Sequence, residues 1–139
     1  MLCFICQKHA GQVGLPPGGY LYEDERWKVC HAPLAEANPG TLLVESRRHF
    51  LDFTEMDEAE AGSYGRLLQT LYAALKEVTG AERIYALTLL EGIPHFHTWL
   101  VPHGNGTAES GLQFLVQARS SRRDEALAMV RALRKVLSP

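Results

Sequence analysis

Short runs of apolar and β-branched residues near the start of the chain predict an antiparallel meander. Two strands, residues 18–23 and 26–30, flank the acidic turn Asp24-Glu25. A third strand, residues 41–45, follows the turn at Pro39-Gly40. Short links of this kind join neighbouring antiparallel strands, so these three strands are expected to lie side by side in one sheet.

The spacing of the apolar residues changes to that of a helix after Thr54. From Tyr64 to Val78 they recur every three or four positions, and Gly80 ends the pattern. The segment from Thr54 to Asp57 resembles a capping box, in which a side chain binds free N–H groups of the first turn. A single apolar stripe predicts a helix that covers a core.

The second half of the chain predicts further strands and one more helix. The strands are residues 83–90, residues 95–101 and an edge strand at residues 112–117, and the helix covers residues 122–137 with Ser121 as its N-cap. The resulting order, β-β-β-α-β-β-β-α, predicts an α+β domain with an antiparallel sheet. It argues against a parallel, doubly wound sheet.

Composition limits the classes of function. The chain has 139 residues, 14 Lys plus Arg, 16 Asp plus Glu and 46% hydrophobic residues, which is typical of one soluble domain over residues 1–139. A net charge of −2 gives no basic field for nucleic acid, although a small phosphorylated ligand fits. The chain shows neither a secretory signal nor a run of ~18 apolar residues that would span a membrane. We therefore expect a cytoplasmic protein.

Cys3 and Cys6 have a spacing that zinc sites use, because two thiolates on one tight turn fill adjacent corners of a tetrahedron. No second pair of this kind follows, so the other ligands must be histidines. Spacing alone does not choose among the candidates, which are His9, His31, His49, His95 and His103. A thiol redox pair is the competing interpretation, but such a motif normally lies between a strand and a helix. Two cysteines without a task are the third alternative, and Cys30 is expected to be a small buried hydrophobe.

Three histidines fall within nine positions: His95, His97 and His103. On a strand, His95, His97 and Trp99 would share one face, with neighbouring side chains about 6 to 7 Å apart. That spacing lets one histidine bind a metal while the next does chemistry. A single strand histidine is more often without a task, but the close pair favours a functional interpretation.

Several motifs, taken in order, resemble the histidine triad (HIT) superfamily of nucleotide hydrolases and transferases. They are Cys3-Phe4-Ile5-Cys6-Gln7-Lys8, Leu21-Tyr22-Glu23-Asp24, the segment 38–44, Ser46-Arg47-Arg48-His49 and His95-Phe96-His97. The resemblance implies a five-stranded antiparallel sheet with two helices. It also implies a homodimer that acts at a nucleotide α-phosphate.

The resemblance assigns roles to particular residues. His97 matches the nucleophile, which forms a covalent nucleotidyl-histidine. Zinc-bearing relatives imply a structural zinc site in which all four positions are filled by protein, here by Cys3, Cys6, His49 and His95. The residues matched to substrate binding are Phe4 and Ile5 for the base, Glu91 and Gly92 in the segment before the triad, and Trp99.

Two positions depart from the family pattern. The family motif has three histidines at alternate positions, and His95 and His97 match the first two. The third triad position is Trp99, which cannot protonate a leaving group. We therefore expect a substrate whose leaving group is already good, such as the dinucleoside polyphosphate diadenosine tetraphosphate. The transferases of the superfamily also lack a histidine at this position, and of the two activities that the resemblance implies we expect a hydrolase rather than a transferase. His103 is a hypothetical substitute acid. The segment 31–34 has no carboxylate for ribose, so a zinc-containing nucleotide-binding module of weak or no activity is the alternative.

Overall fold

One antiparallel sheet of five strands forms the centre of the computed structural model, which describes residues 3–104 and 106–138. The strands are β1 (Tyr22–Glu23), β2 (Trp27–His31), β3 (Leu42–Ser46), β4 (Arg83–Leu87) and β5 (His97–His103). The α-helices are α1 (Phe4–His9), α2 (Glu58–Thr79), α3 (Gly111–Leu115) and α4 (Arg123–Leu137). The strand order is β1-β2-β3-β5-β4. The predicted α+β class with a five-stranded antiparallel sheet is confirmed.

One face of the sheet forms the main core beneath α2 and α4. Val29 of β2 pairs with Val44 of β3, and Val44 pairs with Thr98 of β5, so these side chains share that face. The predicted apolar stripe of α2 is buried against it at Leu67, Leu71 and Leu75. The opposite face of the sheet carries the side chains of Glu45 and His97. None of the described helices has the length and apolar character needed to cross a membrane.

The start of α2 differs from the prediction, whereas its end agrees. The capping box is formed by Asp57 and Glu60, whose side chains accept each other's backbone N–H at 2.7 and 2.8 Å. Thr54 lies instead in a short 3-10 helix, Phe53–Glu55. Gly80 ends α2 with φ of 71°, a conformation that suits glycine.

The edge strand predicted at residues 112–117 is wrong, because α3 forms there. In a strand, Leu112 and Phe114 would share a face, but Leu112 is 77% exposed and Phe114 only 7% exposed. Phe114 packs against the rings of Tyr85 and His103.

Other boundaries shift by a few residues. The first predicted strand shortens to β1 and the fourth to β4, while β5 begins at His97 rather than His95. Helix α4 begins at Arg123, and the Ser121 hydroxyl donates to the carbonyl of Ala37 instead of capping the helix.

Helix α1 was not predicted, and a buried carboxylate fixes it to the sheet. Glu45 of β3, with a side chain 1% exposed, accepts hydrogen bonds from Lys8 Nζ at 2.6 Å and His9 Nε2 at 2.9 Å. The Tyr20 hydroxyl adds a third bond at 3.3 Å. Burial alone would raise the pKa of Glu45, but the hydrogen bond from His9 and the charge of Lys8 together lower it.

Cys30 is fully buried, as predicted, but it borders this ionic cluster. Lys8 Nζ donates to Cys30 Sγ at 3.3 Å, and the Glu45 carboxylate lies beside the same ammonium, 3.8 Å from the sulfur. Burial raises the pKa of Cys30 to about 12, and the charge of Glu45 contributes to that rise. Cys30 is therefore a neutral thiol at pH 7.

Replacing Glu45 should loosen α1. Glu45→Gln leaves the Lys8 ammonium buried without its counter-charge, so we expect a loss of about 3 kcal/mol in the free energy of unfolding, roughly 10 °C in Tm. Glu23→Gln is the matched control, because Glu23 is half exposed in its ion pair with Arg47 and should change stability by under about 0.5 kcal/mol. Thermal unfolding at pH 7 measures both. Equal effects of the two variants would contradict a special role for Glu45.

The same variant should show a distinct pH dependence. Because the pKa of Glu45 is lower in the folded protein than in the unfolded chain, its stabilising effect is complete above the ordinary carboxyl pKa of about 4.3. It is lost as the pH falls through the lowered value. The Tm difference between the wild type and Glu45→Gln should thus be constant from pH 7 to 6 and shrink below about pH 4. A difference that grows in acid would contradict this.

Candidate functional site

Four side chains with metal-binding atoms converge where α1 meets the end of β3 and the start of β5. Cys3 is the N-cap of α1 and accepts a hydrogen bond from the backbone N–H of Cys6, so the two sulfurs lie side by side. His49 follows β3, and His95 lies just before β5. These are the four residues that the sequence resemblance implied, and the structure brings them together.

The distances within this cluster suit a tetrahedral metal ion. His95 Nδ1 lies 3.3 Å from Cys3 Sγ and 3.6 Å from Cys6 Sγ. His49 Nδ1 lies 3.1 Å from His95 Nδ1 and 3.6 Å from Cys6 Sγ. Zinc bonds of about 2.0–2.3 Å give ligand-to-ligand edges of about 3.3–3.8 Å in a tetrahedron. Two thiolates and two imidazoles are a donor set that zinc prefers, so the residues present fit zinc.

The second nitrogen of His95 fixes the ring for this role. His95 Nε2 donates to the carbonyl of Ser46 at 2.7 Å, which leaves the Nδ1 lone pair directed toward the cluster. Burial lowers the pKa of His95, so the ring stays neutral. Burial raises the pKa of Cys6, and the neighbouring Cys3 sulfur raises it further. A bound cation would offset that rise by stabilising the thiolate.

The other three histidines considered as ligands lie outside the cluster. His9 binds Glu45. His31 donates from Nδ1 to the Ala32 carbonyl at 2.8 Å and accepts the Gly40 N–H on Nε2 at 2.9 Å, so both its nitrogens are used. His103 donates to the carbonyl of Glu109 at 2.7 Å.

His97 has the tautomer that a nucleophile requires. Its Nδ1 donates to the carbonyl of His95 at 2.7 Å, which leaves the Nε2 lone pair for attack. The ring is 5% exposed and lies on the face of the sheet opposite the main core. Glu45 is its register partner on β3, and the two side chains share that face. The ionic cluster around Glu45 therefore adjoins His97.

The structure does not bring His103 to His97. The two histidines are six residues apart on β5, about 20 Å at ~3.3 Å per residue. His103 packs instead between the rings of Tyr85 and Phe114. The distance leaves His103 out of reach of a group bonded to His97.

The residues matched to substrate binding occupy different surroundings. Phe4 is half exposed and, with Gly92, lines a cavity of about 480 Å³ next to the four candidate metal ligands. Glu91 is exposed beside Gly92. Ile5 is buried at 2% exposure. Trp99 is half-buried and packs on a small apolar cluster that includes Cys30 and Leu43.

Sequence reasoning missed two charged features on this face. Lys8 and Glu45 are 37 positions apart, and the available signal was a carboxylate directly after the apolar residues Leu42, Leu43 and Val44 of the same strand. Arg119 lies in the segment between α3 and α4 and lines a cleft beside Trp99. No periodic pattern marks its position.

Comparisons with known proteins agree on the fold. No family model matches the chain, and no curated protein does. Among solved structures, a hypothetical histidine triad nucleotide-binding protein from Sulfolobus tokodaii is similar with a TM-score of 0.76 and 17% identity, over 96% of this chain and 91% of that one. A zinc-bound histidine triad family protein from Mycobacterium smegmatis is similar with a TM-score of 0.75 and 21% identity, over 97% of this chain and 92% of that one.

A third solved structure is a Hit-like protein involved in cell-cycle regulation from Bartonella henselae. Its TM-score is 0.75 at 14% identity, with 97% of this chain and 96% of that one covered. Together with the motifs around Cys3 and His97, these likenesses confirm the resemblance at the level of the fold. The chain has the fold of the histidine triad (HIT) proteins.

Proposed function

We propose that this protein is a nucleotide hydrolase that acts at a nucleotide α-phosphate through His97. The observation that carries the proposal is the hydrogen bond from His97 Nδ1 to the His95 carbonyl, because it directs the free lone pair of Nε2 outward from the strand. The nucleotide-binding description of the Sulfolobus tokodaii relative supports a nucleotide substrate. Dinucleoside polyphosphates such as diadenosine tetraphosphate are the proposed substrates.

The reaction follows from the protonation state of His97. Nε2 attacks the α-phosphorus, a P–N bond forms, and the P–O bond to the leaving phosphate breaks with its electron pair on oxygen. The His95 carbonyl stabilises the imidazolium that results. Water then attacks phosphorus, the P–N bond breaks, and the nucleoside monophosphate leaves. A transferase would use another acceptor in place of water.

The leaving group must depart without an acid at position 99. Trp99 has only an indole N–H, which does not titrate near neutral pH. A polyphosphate leaves as a stable anion, whereas an amine requires protonation. This difference favours a phosphoanhydride over a phosphoramidate.

We further propose that Cys3, Cys6, His49 and His95 hold a structural zinc ion. A bound zinc ion with four protein ligands has no open position for a catalytic water, and it would tie α1 to the sheet. The carbonyl that orients His97 belongs to His95, so the metal cluster also positions the nucleophile.

A nucleotide-binding module with weak or no turnover is the second candidate. The observations that favour it are Trp99 in the third triad position and the absence of a carboxylate from residues 31–34, where the family pattern has one for the ribose. The homodimer implied by the sequence resemblance remains a prediction for either candidate.

The proposed nucleophile is tested by product analysis. We expect the wild type to release mononucleotide from diadenosine tetraphosphate and His97→Ala to be slower by at least ~10³-fold, because the covalent step is lost. Chromatography of the products measures this. A nucleotidyl-histidine should be trapped on the wild type with labelled substrate. Release by His97→Ala at the wild-type rate would contradict the proposal, and binding without any release would favour the second candidate.

His103→Ala separates the two histidines of β5. We expect it to retain turnover between pH 5 and 8, because its ring is engaged with Glu109 far from the reacting phosphate. A loss of activity in only the acidic or only the alkaline part of the pH profile would support a role of His103 as the general acid.

The zinc site is tested by metal analysis of purified protein. We expect one zinc ion per chain in the wild type and loss of metal in His49→Ala, with a destabilisation of about 4 kcal/mol where zinc exceeds its Kd a thousandfold. Cys30→Ala is the control, because Cys30 lies outside the cluster. Undiminished zinc in His49→Ala would remove His49 from the ligand set. Freely titratable thiols at Cys3 and Cys6 would favour the redox alternative.

A further inference from the structure

A cleft of about 220 Å³ lies beside the third triad position, and the proposed chemistry leaves it unused. It is lined by Trp99 and Val101 of β5, Leu87 of β4, Leu115 of α3, Arg119, and the exposed side chains of Glu36 and Leu89. We refer to these seven residues as the Trp99 cleft. Leu87 and Trp99 are register partners, so the cleft lies on the same face of the sheet as His97.

The Trp99 cleft is at a defined distance from the nucleophile. Trp99 is two residues from His97 and Val101 is four, which corresponds to about 7 and 13 Å along the strand. A separate cavity of about 200 Å³ lies beside α1 and the end of β2, where Phe4 and Lys8 contribute to its lining.

The walls of the Trp99 cleft combine apolar surface with one fixed cation, Arg119, and one exposed carboxylate, Glu36. Arg119 Nη1 donates to the carbonyls of Phe114 and Leu115 at 2.9 and 3.1 Å, and its guanidinium lies 5.1 Å from the centre of the Phe114 ring. Arg119 Nε is buried, and among the described residues no acceptor lies within hydrogen-bond distance of it. The contacts with Phe114 and Leu115 hold the Arg119 side chain in place at the wall of the cleft, where its positive charge favours a ligand with acceptor atoms.

We propose that the Trp99 cleft binds the base of the leaving nucleotide, with the base stacked on Trp99 and its acceptor atoms beside the Arg119 guanidinium. This inference rests on the proposed function and names the part of the substrate beyond the broken bond. A nucleobase has two apolar faces and acceptor atoms in its plane, which match an indole wall and a guanidinium donor.

The distances agree with a dinucleoside polyphosphate. The base of the leaving nucleotide is separated from the α-phosphorus by a phosphate chain and a ribose, so it cannot contact His97 itself. A cleft that begins about 7 Å from His97 and extends to about 13 Å lies where such a chain would end. Trp99 then binds substrate at the position where a third histidine would serve as an acid.

Two substrates with the same phosphate chain test this. Diadenosine tetraphosphate and adenosine tetraphosphate differ only in the second nucleoside. We expect the wild type to have a kcat/KM at least about tenfold higher for the dinucleoside, and Trp99→Ala to lower that ratio about tenfold. Trp99→Phe should retain part of the preference, and Arg119→Met should lower the ratio about fivefold. Arg123→Met, which removes an exposed arginine of α4, should leave the ratio unchanged.

A binding measurement separates failure of this inference from failure of the proposed function. In His97→Ala, titration followed by Trp99 fluorescence should show tighter binding of diadenosine tetraphosphate than of adenosine tetraphosphate. Trp27, the other tryptophan, is fully buried and gives a constant background.

The outcomes of the two experiments are distinct. Wild-type turnover of both substrates with equal kcat/KM, or a ratio that Trp99→Phe and Arg119→Met leave unchanged, would overturn the second-base site and leave the proposed function intact. No turnover of either substrate, with the binding preference retained in His97→Ala, would overturn the hydrolase and leave the Trp99 cleft as the site of the second base.

Discussion

The alternation of side chains along β5 is the constraint on which the other features of the site depend. Thr98 and Leu100 enter the main core beneath α2 and α4, which fixes the strand in register with β3 and β4. His97, Trp99 and Val101 are therefore held on the opposite face. A shift of one residue would exchange the two sets, moving His97 into the main core and Thr98 and Leu100 out of it. The position of His97 is thus set by hydrophobic packing on the face that takes no part in the chemistry.

Helix α1 must be held on the face that carries His97, and two kinds of interaction do this. Glu45 attracts Lys8 and His9 near the end of the helix, while Cys3 and Cys6 meet His49 and His95 at its start. A buried ion pair alone stabilises a fold only slightly, because both charges lose water. Here the ion pair orients α1, because Glu45 accepts hydrogen bonds from several donors at fixed positions. The helix therefore has a defined orientation in which both sulfurs point at His95.

Much of this arrangement could be predicted from the sequence, and the failures share a physical cause. The apolar period of α2 and the alternation after His95 are repeated local signals, so they identified the core helix and the face of His97. Helix α1 has only six residues, and Ile5 is its one buried apolar side chain among ionic contacts, so it leaves no stripe. The run from Leu112 to Gln117 is too short for periodicity to separate a strand from α3. The contact of Lys8 with Glu45 joins distant parts of the chain and has no local signal at all.

Tryptophan in place of a third histidine suits the apolar side chains around position 99. An imidazole at position 99 would need a polar environment in order to exchange protons, but Leu43, Leu87 and Val101 surround that position with apolar side chains. An indole gains free energy from the same contacts. The charged groups of the cleft are Arg119 and Glu36. Arg119 remains charged near neutral pH and can donate but not transfer a proton. In the proposed reaction neither Trp99 nor Arg119 protonates the leaving group, so the proposal requires a leaving group that departs as an anion.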